Sequence, residues 1–254
     1  MPPNRRKPPP LLVQLVDLLL IELTNWRWSW RSLVITGVIT PLLSVVALGF
    51  FARDSGRDTL AYVLTGSLVM SLMFANMGNV RSHFAYLRFM GALDYFATLP
   101  IQRYMLILAV VLSFLLLSLP SLVATALAGS LVLGVSITLH PAILLVVPLC
   151  ALPLAGIGAL LGFIARTPEE GSSLNLLVTM VLLGLGPVMI PPDHLPGTLV
   201  ALGRLSPATY AASALRQALI GPVTGQIVVD LAVLAGLTIV IFWLVGRKMD
   251  WRQG

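Results

Sequence analysis

The stretch that decides the fold class runs from Tyr104 to Ala165 and reads YMLILAVVLSFLLLSLPSLVATALAGSLVLGVSITLHPAILLVVPLCALPLAGIGALLGFIA. It contains no Asp, Glu, Lys or Arg. Because one transmembrane helix needs ~20 apolar residues, this stretch is too long for one span and predicts two. The uncharged turn near Gly134 to Pro141 would join them on the outer face.

The rest of the chain has the same character. Of its 254 residues, 57% are hydrophobic and 10% are charged, against about 25% charged in a soluble domain. This length holds six spans with loops, but not twelve. The sequence therefore predicts an all-α integral membrane protein. Residues 1–254 would form a single transmembrane domain, of which residues 1–10 are a flexible terminus. The six predicted spans are residues 33–51, 60–80, 104–133, 141–165, 174–190 and 227–245.

The basic residues predict the orientation. With the amino terminus inside, only Arg53, Arg57, Arg204 and Arg216 of the 16 Lys and Arg residues fall on the outer side. The positive-inside rule then places both termini in the cytoplasm. The net charge of +6 does not indicate a nucleic acid partner, because the basic residues flank apolar runs and do not cluster on one face.

An amphipathic helix is predicted before the first span. Residues 11–25 would place Gln14, Asp17, Glu22 and Asn25 on one side and leucines on the other, which is typical of a helix in the membrane surface. The alternative is a long first span. The predicted surface segment spans residues 11–31. It ends in alternating indole and guanidinium side chains, which suit the headgroup zone: Trp26, Arg27, Trp28, Trp30 and Arg31.

Two connections are too long for simple turns. The cytoplasmic one includes residues 84–100, for which we predict a short amphipathic helix broken at Leu99-Pro100. The outer one includes residues 191–222, where prolines and two arginines interrupt an apolar run. That pattern predicts a pair of half-helices that re-enter the outer leaflet.

Motifs for catalysis are not evident in the sequence. Neither lysine, Lys7 or Lys248, belongs to a phosphate loop of the form G-x-x-x-x-G-K-[ST], and His83, His140 and His194 lie far apart in sequence. We expect no ATP or metal site in this chain and interpret its single cysteine as a packed hydrophobe.

Uncharged polar residues in the second and fifth spans are candidates to line a translocation path, although interhelical hydrogen bonding would explain them equally well. These residues are Thr65, Ser67, Ser71, Asn76, Asn79, Ser173, Asn175 and Thr179.

The order of these elements resembles the six-span permease subunits of the type-2 ABC transporter family, exporters also called type V. Three segments carry the resemblance: the surface helix ending at 26–31, MGALDYFATLPIQRYMLILA from Met90 to Ala109, and PPDHLPGTLVALGRLSPATYAASALRQAL from Pro191 to Leu219. The last is the most specific, with an acidic residue after prolines, Leu-Pro, and a Ser-Pro-x-Thr-Tyr step before an arginine.

The resemblance implies roles for the three segments. The cytoplasmic one would be a coupling helix that contacts an ATPase subunit through Phe89, Met90, Gly91, Leu93, Asp94, Phe96, Leu99 and Pro100. The surface helix would be the connecting helix that leans on the same subunit. The outer residues Pro192, Asp193, Leu195, Pro196, Pro207, Tyr210 and Arg216 would belong to the re-entrant helices that cap the exit.

The resemblance also implies a partner set. Two permeases, identical or paralogous, would form the path in the prokaryotic inner membrane, and separate ATPase subunits would bind ATP and Mg²⁺. The mildly polar path residues suit a drug-like or lipid-like amphipathic substrate. The alternatives are a secondary carrier or channel that works alone, against which the absence of a mid-membrane carboxylate counts, and a membrane-embedded enzyme.

Overall fold

The computed structural model describes residues 10–25, 35–52, 56–98 and 102–248, and within these ranges every regular element is helical. Before the second span lie α1 (Leu11–Asn25), a π-helix (Ile35–Ile39) and α2 (Thr40–Ala52). Then follow α3 (Arg57–Leu72), a second π-helix (Met73–Gly78), α4 (Asn79–Phe89) and α5 (Ala92–Thr98). The remaining helices are α6 (Arg103–Leu133), α7 (Ile143–Ile164), α8 (Pro168–Gly184), the 3-10 turn Pro192–His194, α9 (Gly197–Gly203), α10 (Pro207–Leu219) and α11 (Gln226–Lys248).

Among the residues that the structure describes, four helices are long and apolar enough to cross a membrane. They are Arg57–Phe89, Tyr104–Leu133, Ile143–Ile164 and Gln226–Lys248, and they correspond to the second, third, fourth and sixth predicted spans. The all-α membrane fold is therefore confirmed. The first predicted span appears as the shorter apolar helix Gly37–Phe50, and the fifth as α8, so the count of six remains a prediction.

The second span continues far beyond its predicted end at residue 80. Helix α3, the π-helix and α4 form one run of 33 residues, about 50 Å at 1.5 Å per residue, whereas the hydrocarbon core is about 30 Å thick. The run ends at Gly91, whose φ of 65° is a left-handed conformation that favours glycine. The predicted break at Leu99-Pro100 lies outside the described residues.

The helix of the fifth predicted span has the expected length of 17 residues but is displaced by six residues toward the amino terminus. Its helix, α8, begins at Pro168 with Glu169 and Glu170 in the first turn and ends at Gly184, so residues 185–190 are not helical. A tight turn at Gly186, with φ 105°, followed by Pro187 explains the early end, because neither residue favours the continuation of a helix.

Helix α7 forms the centre of the bundle and packs against α11, α4, α10 and the second π-helix. Its Gly158 and Gly162 allow close contact, as in other pairs of glycines four residues apart in membrane helices. A methyl group added at Gly162 would lie 2.8 Å from the carbonyl oxygen of Arg81, and one at Gly158 would overlap the carbonyl of Met77. Cys150 is buried in the same helix, as the sequence suggested.

Candidate translocation path and docking surface

The helical run of the second span ends in exposed aromatic and apolar side chains. Tyr86, Phe89 and Met90 are 60%, 55% and 65% exposed, and Tyr95 on α5 is 65% exposed. We call these four residues the docking surface. The run is longer than the hydrocarbon core is thick, so at least one of its ends lies outside that core. The predicted orientation places the docking surface at the cytoplasmic end. A cluster of exposed aromatic side chains in such a place is typical of a protein interface.

The other predicted coupling residues lie around the docking surface. Gly91 forms the turn before α5, and Phe96 is half-buried against the core formed by α4, α6 and α7. Leu93 and Asp94 belong to helix α5. Leu99 and Pro100 lie outside the described residues.

Charged side chains fix the base of the docking surface to the bundle. The Arg88 Nη1 group donates to the carbonyl oxygens of Phe163 and Ala165 at 2.8 and 2.9 Å. These carbonyls belong to the end of α7, where helical partners run out. Arg81 Nη1 donates to the carbonyl of Pro168 at 3.4 Å. A movement of α4 would therefore be transmitted to the end of α7 and the start of α8.

Helix α1 also attaches to this base. His83 Nε2 lies 3.1 Å from Glu22 Oε1, and Gln14 Oε1 accepts from the backbone N–H of Gln102 at 3.3 Å. Gln14, Leu18 and Glu22 are buried, so this polar side of α1 faces the protein. The other side is mostly apolar and exposed, which suits lipid. Asp17 is exposed too, so the prediction that it shares the polar side with Gln14 and Glu22 is wrong. The residues predicted for the end of the connecting helix, Trp26 to Arg31, lie outside the described part of the chain.

Five of the eight predicted path residues donate hydrogen bonds within the chain; four of these bonds are buried or partly buried, and that of Ser173 is exposed. Four hydroxyl or amide groups donate to carbonyls on their own helix: Thr65 to Ala61 at 2.9 Å, Ser67 to Val63 at 2.8 Å, Asn79 to Ala75 at 2.8 Å and Ser173 to Glu169 at 3.0 Å. Ser71 donates to the Gly37 carbonyl, 2.6 Å away in the first π-helix. The geometry of these five matches the hydrogen-bonding alternative.

The remaining three path residues have unpartnered buried atoms. Asn76, in the second π-helix, donates from Nδ2 to the hydroxyl of Ser118 at 3.0 Å, but its Oδ1 has no partner among the described residues. The same is true of Asn175 Oδ1 and Thr179 Oγ1 on α8, and of Thr209 Oγ1 on α10. We call Asn76, Asn175, Thr179 and Thr209 the polar seam.

The polar seam follows one side of α8 toward the outer segment. Asn175 Nδ2 lies close enough to Gly78 to contact a methyl group added there, at 3.8 Å. Thr179 is one helical turn further along α8 on the same face. Thr209 lies beside Gly186, just past the end of α8. The members of the seam on α8 and α10 therefore extend from beside Gly78, in the π-helix that also contains Asn76, to the predicted outer segment. A π-helix inside a longer helix is often found at a functional site.

Residues 191–222, the predicted outer segment, contain two short helices, α9 and α10, as the sequence indicated. Gly203 and Gly186 pack so closely that a methyl group on Gly203 would lie 2.5 Å from the Cα of Gly186. The backbone N–H groups of Thr138 and His140, in the turn before α7, donate to Leu219 and Ala218 at 2.7 and 3.0 Å. These contacts tie both helices to the neighbouring spans.

The predicted exit residues occupy different parts of this segment. Pro192 and Asp193 are in the 3-10 turn, and Leu195 and Pro196 lead into α9. Pro207 begins α10. The Tyr210 hydroxyl donates to the carbonyl of Arg204 at 2.7 Å, which holds the loop between α9 and α10 in place.

A protein-family model described as ABC-2 type transporter matches residues 14–220. The chain belongs to the ABC-2 type transporter family. As an ABC-2 membrane domain, it is a component of a transporter and is not catalytic by itself. A comparison with curated proteins gave no match.

The ABC-2 match contains both the docking surface and the polar seam. Sequence reasoning found three members of the seam, since Asn76, Asn175 and Thr179 are polar residues inside apolar runs. It missed Thr209, because the Ser-Pro-x-Thr-Tyr step indicated a half-helix and gave no sign of which side chain faces α8. The burial of Ser206, whose hydroxyl donates to the carbonyl of Leu182 at 3.4 Å, was missed for the same reason.

Proposed function

We propose that this ABC-2 protein is the permease subunit of an ATP-driven exporter, in which two permeases form the translocation path and separate ATPase subunits supply the energy. The observation that carries the proposal is the docking surface. Its four exposed aromatic and apolar side chains lie at the end of the 33-residue helix and on α5, which follows it. In water they would favour aggregation unless a partner covered them.

The helix that bears the docking surface also provides a mechanical connection. Helix α4 runs without a break into the second π-helix, which contains Asn76 of the polar seam. A partner that moves Phe89 and Met90 would therefore act on the seam through one continuous helix. Arg88 and His83 would transmit the same movement to α7 and α1. This arrangement suits an ATPase whose closure opens the path.

The polar seam supports the proposed path. Its unpartnered oxygens are enclosed by the chain, which supports a resting state in which the seam is closed to water. ATP binding by the partner would shift the equilibrium toward an open state, as a ligand does when it favours one of two conformations. In that state the oxygens of Asn175 and Thr179 would face the second permease across the path.

The proposed substrate class follows from the chemistry of the seam. Its members are uncharged and few, and apolar residues surround them. Such a lining suits an amphipathic, drug-like or lipid-like molecule that keeps most of its contacts apolar. We further propose that the complex resides in a prokaryotic inner membrane with both termini of this chain in the cytoplasm, and that ATP and Mg²⁺ bind to the ATPase.

The test is purification of the tagged chain from its native membranes, followed by a measurement of ATP hydrolysis. The wild-type preparation should contain an ATPase and hydrolyse ATP. Phe89→Arg should lose this activity while the chain still inserts, because a buried arginine at the interface would have no counter-charge. Leu205→Arg is the matched control, since Leu205 is 78% exposed on the outer segment. If Phe89→Arg retained full activity, the docking assignment would be wrong.

A further inference from the structure

Arg216 on α10 is held in an unusual setting. Its guanidinium carbon lies 3.4 Å from the centroid of the Tyr62 ring on α3, so the cation lies over the face of the ring. Its Nε and Nη2 atoms are buried and have no hydrogen-bond partner among the described residues. Burying such donors without an acceptor costs free energy, which points to an acceptor from outside the chain.

The two unpartnered nitrogens are adjacent donors on one edge of the guanidinium. Nε and Nη2 point their N–H groups in the same direction and together form a fork that matches two oxygens of a phosphate or carboxylate. Stacking on Tyr62 occupies the face of the cation and leaves this edge without a partner; the chain encloses the edge in this structure, so a ligand reaches it when the helices around it separate. The stacking also fixes the direction of the fork, so less side-chain entropy is lost when a ligand binds.

Among the described carboxylates, Asp230 is the one whose charge acts on Arg216, and its oxygens already accept other hydrogen bonds. Oδ1 accepts from Gln226 Nε2 at 3.0 Å, and Oδ2 accepts from Gln217 Nε2 at 3.2 Å. Asp230 is 1% exposed. Among the described residues no carboxylate oxygen lies within 4.0 Å of the guanidinium. Arg216 therefore has a negative charge in its surroundings but no acceptor on its fork.

We infer that Arg216 and Tyr62 form a binding site for the oxoanion headgroup, phosphate being the best fit, of an amphiphile. Helix α10 belongs to the outer segment, so the site lies at the outer end of the proposed path. The inference rests on the proposed function and narrows the substrate class to anionic amphiphiles. Because the same headgroup chemistry is found in bilayer lipid, the occupant is either a transported amphiphile or an anionic lipid.

The test measures binding to the purified full-length chain in nanodiscs made of zwitterionic phosphatidylcholine. The probes are dodecyl phosphate, dodecyltrimethylammonium and inorganic phosphate. We expect dodecyl phosphate to bind at least tenfold more tightly than the cationic probe. Arg216→Gln should weaken dodecyl phosphate binding by tenfold or more, since it removes a charged, bidentate contact. Arg216→Lys, which keeps the charge and loses the fork, should show an intermediate loss.

Arg204→Gln is the matched control, because Arg204 is an exposed arginine of the same outer segment and its substitution should leave binding unchanged. If Arg216→Gln fails to fold, two measurements still test the proposed site. One is the comparison of the anionic and cationic probes on the wild type, and the other is the affinity of Arg216→Lys for dodecyl phosphate. Equal binding of the anionic and cationic probes, or unchanged binding by Arg216→Lys and Arg216→Gln, would overturn the inference. In that case Arg216 would serve only as a distant counter-charge to Asp230, and Asp230→Asn should then restore the stability lost in Arg216→Gln.

The source of the headgroup is decided by repeating the titration in phosphatidylglycerol nanodiscs. A loss of apparent affinity for dodecyl phosphate in the wild type, but not in Arg216→Gln, would identify bilayer lipid as an occupant. Unchanged affinity would identify the transported amphiphile. Binding of inorganic phosphate alone would show that the apolar tail is dispensable. None of these measurements needs an ATPase, so a failure of the proposed exporter function would remain distinct from a failure of this site.

Discussion

Replacement of Gly158 by alanine tests the packing that holds the second span against α7. A methyl group at this position would overlap the backbone carbonyl of Met77 in the second π-helix. Backbone atoms cannot rotate away as a side chain can, so one of the helices must shift. Overpacking of this kind costs about 1–3 kcal/mol. The substitution also removes a glycine from a helix interior, which stabilises the helix by about 1 kcal/mol.

Gly236→Ala is the matched control because it isolates the overpacking contribution. Gly236 lies in α11 with no atom within 4 Å of an added methyl group. It therefore gains the same helix propensity without a clash. The difference in free energy of unfolding between Gly236→Ala and Gly158→Ala should thus be about 1–3 kcal/mol, with Gly158→Ala the less stable.

The assay is reversible unfolding of the purified variants in mixed micelles, titrated with a denaturing detergent and followed by far-ultraviolet circular dichroism. The wild type and both variants are compared at the same lipid-to-detergent ratio. Equal midpoints for Gly158→Ala and Gly236→Ala would refute the reasoning, because α7 and the second span would then not touch where the structure places them.

Three further predictions concern single side chains. Thr179→Val should raise the free energy of unfolding by about 1 kcal/mol, because it removes an unpartnered buried hydroxyl. The same variant should slow transport by the assembled complex. Thr65→Val, which deletes a hydrogen-bonded hydroxyl, should not raise the free energy of unfolding. Arg88→Met should lower stability by about 2–4 kcal/mol through the loss of two charged hydrogen bonds to the end of α7, whereas the exposed Arg57→Met should have little effect in the same titration. Glu22→Ala should loosen α1, seen as faster amide hydrogen exchange in residues 11–25, and Asp17→Ala on the exposed side should not change the exchange rate.

The fold class could be predicted because lipid imposes simple requirements. The uncharged stretch from Tyr104 to Ala165 is incompatible with a soluble fold. Its two helices lie almost where the sequence placed them, at Tyr104–Leu133 and Ile143–Ile164. Hydropathy marks where a helix can enter lipid, but it does not mark where a helix stops. The second span therefore continues to Phe89, and the fifth ends early at Gly184, since these limits depend on local turns at Gly91 and Gly186.

The candidate site was predictable only in part, for a related reason. Polar residues inside apolar runs are visible in the sequence, but their hydrogen-bond partners are not. Thr65 and Thr179 look alike in the sequence. In the structure Thr65 donates to a carbonyl on its own helix, whereas Thr179 has no partner among the described residues. The π-helix at Met73–Gly78 and the stacking of Arg216 on Tyr62 arise from contacts between distant segments, and neither has a local sequence signal.

The central claim is that this ABC-2 protein moves its substrate only when a separate ATPase drives it. The most direct test is reconstitution of the purified chain into proteoliposomes, with and without the ATPase that copurifies with it, followed by measurement of the accumulation of a fluorescent amphipathic dye. The account predicts ATP-dependent accumulation by the complex, its loss in Phe89→Arg, and no transport by the chain alone. Transport of the dye by the chain alone, driven by an ion gradient, would contradict it.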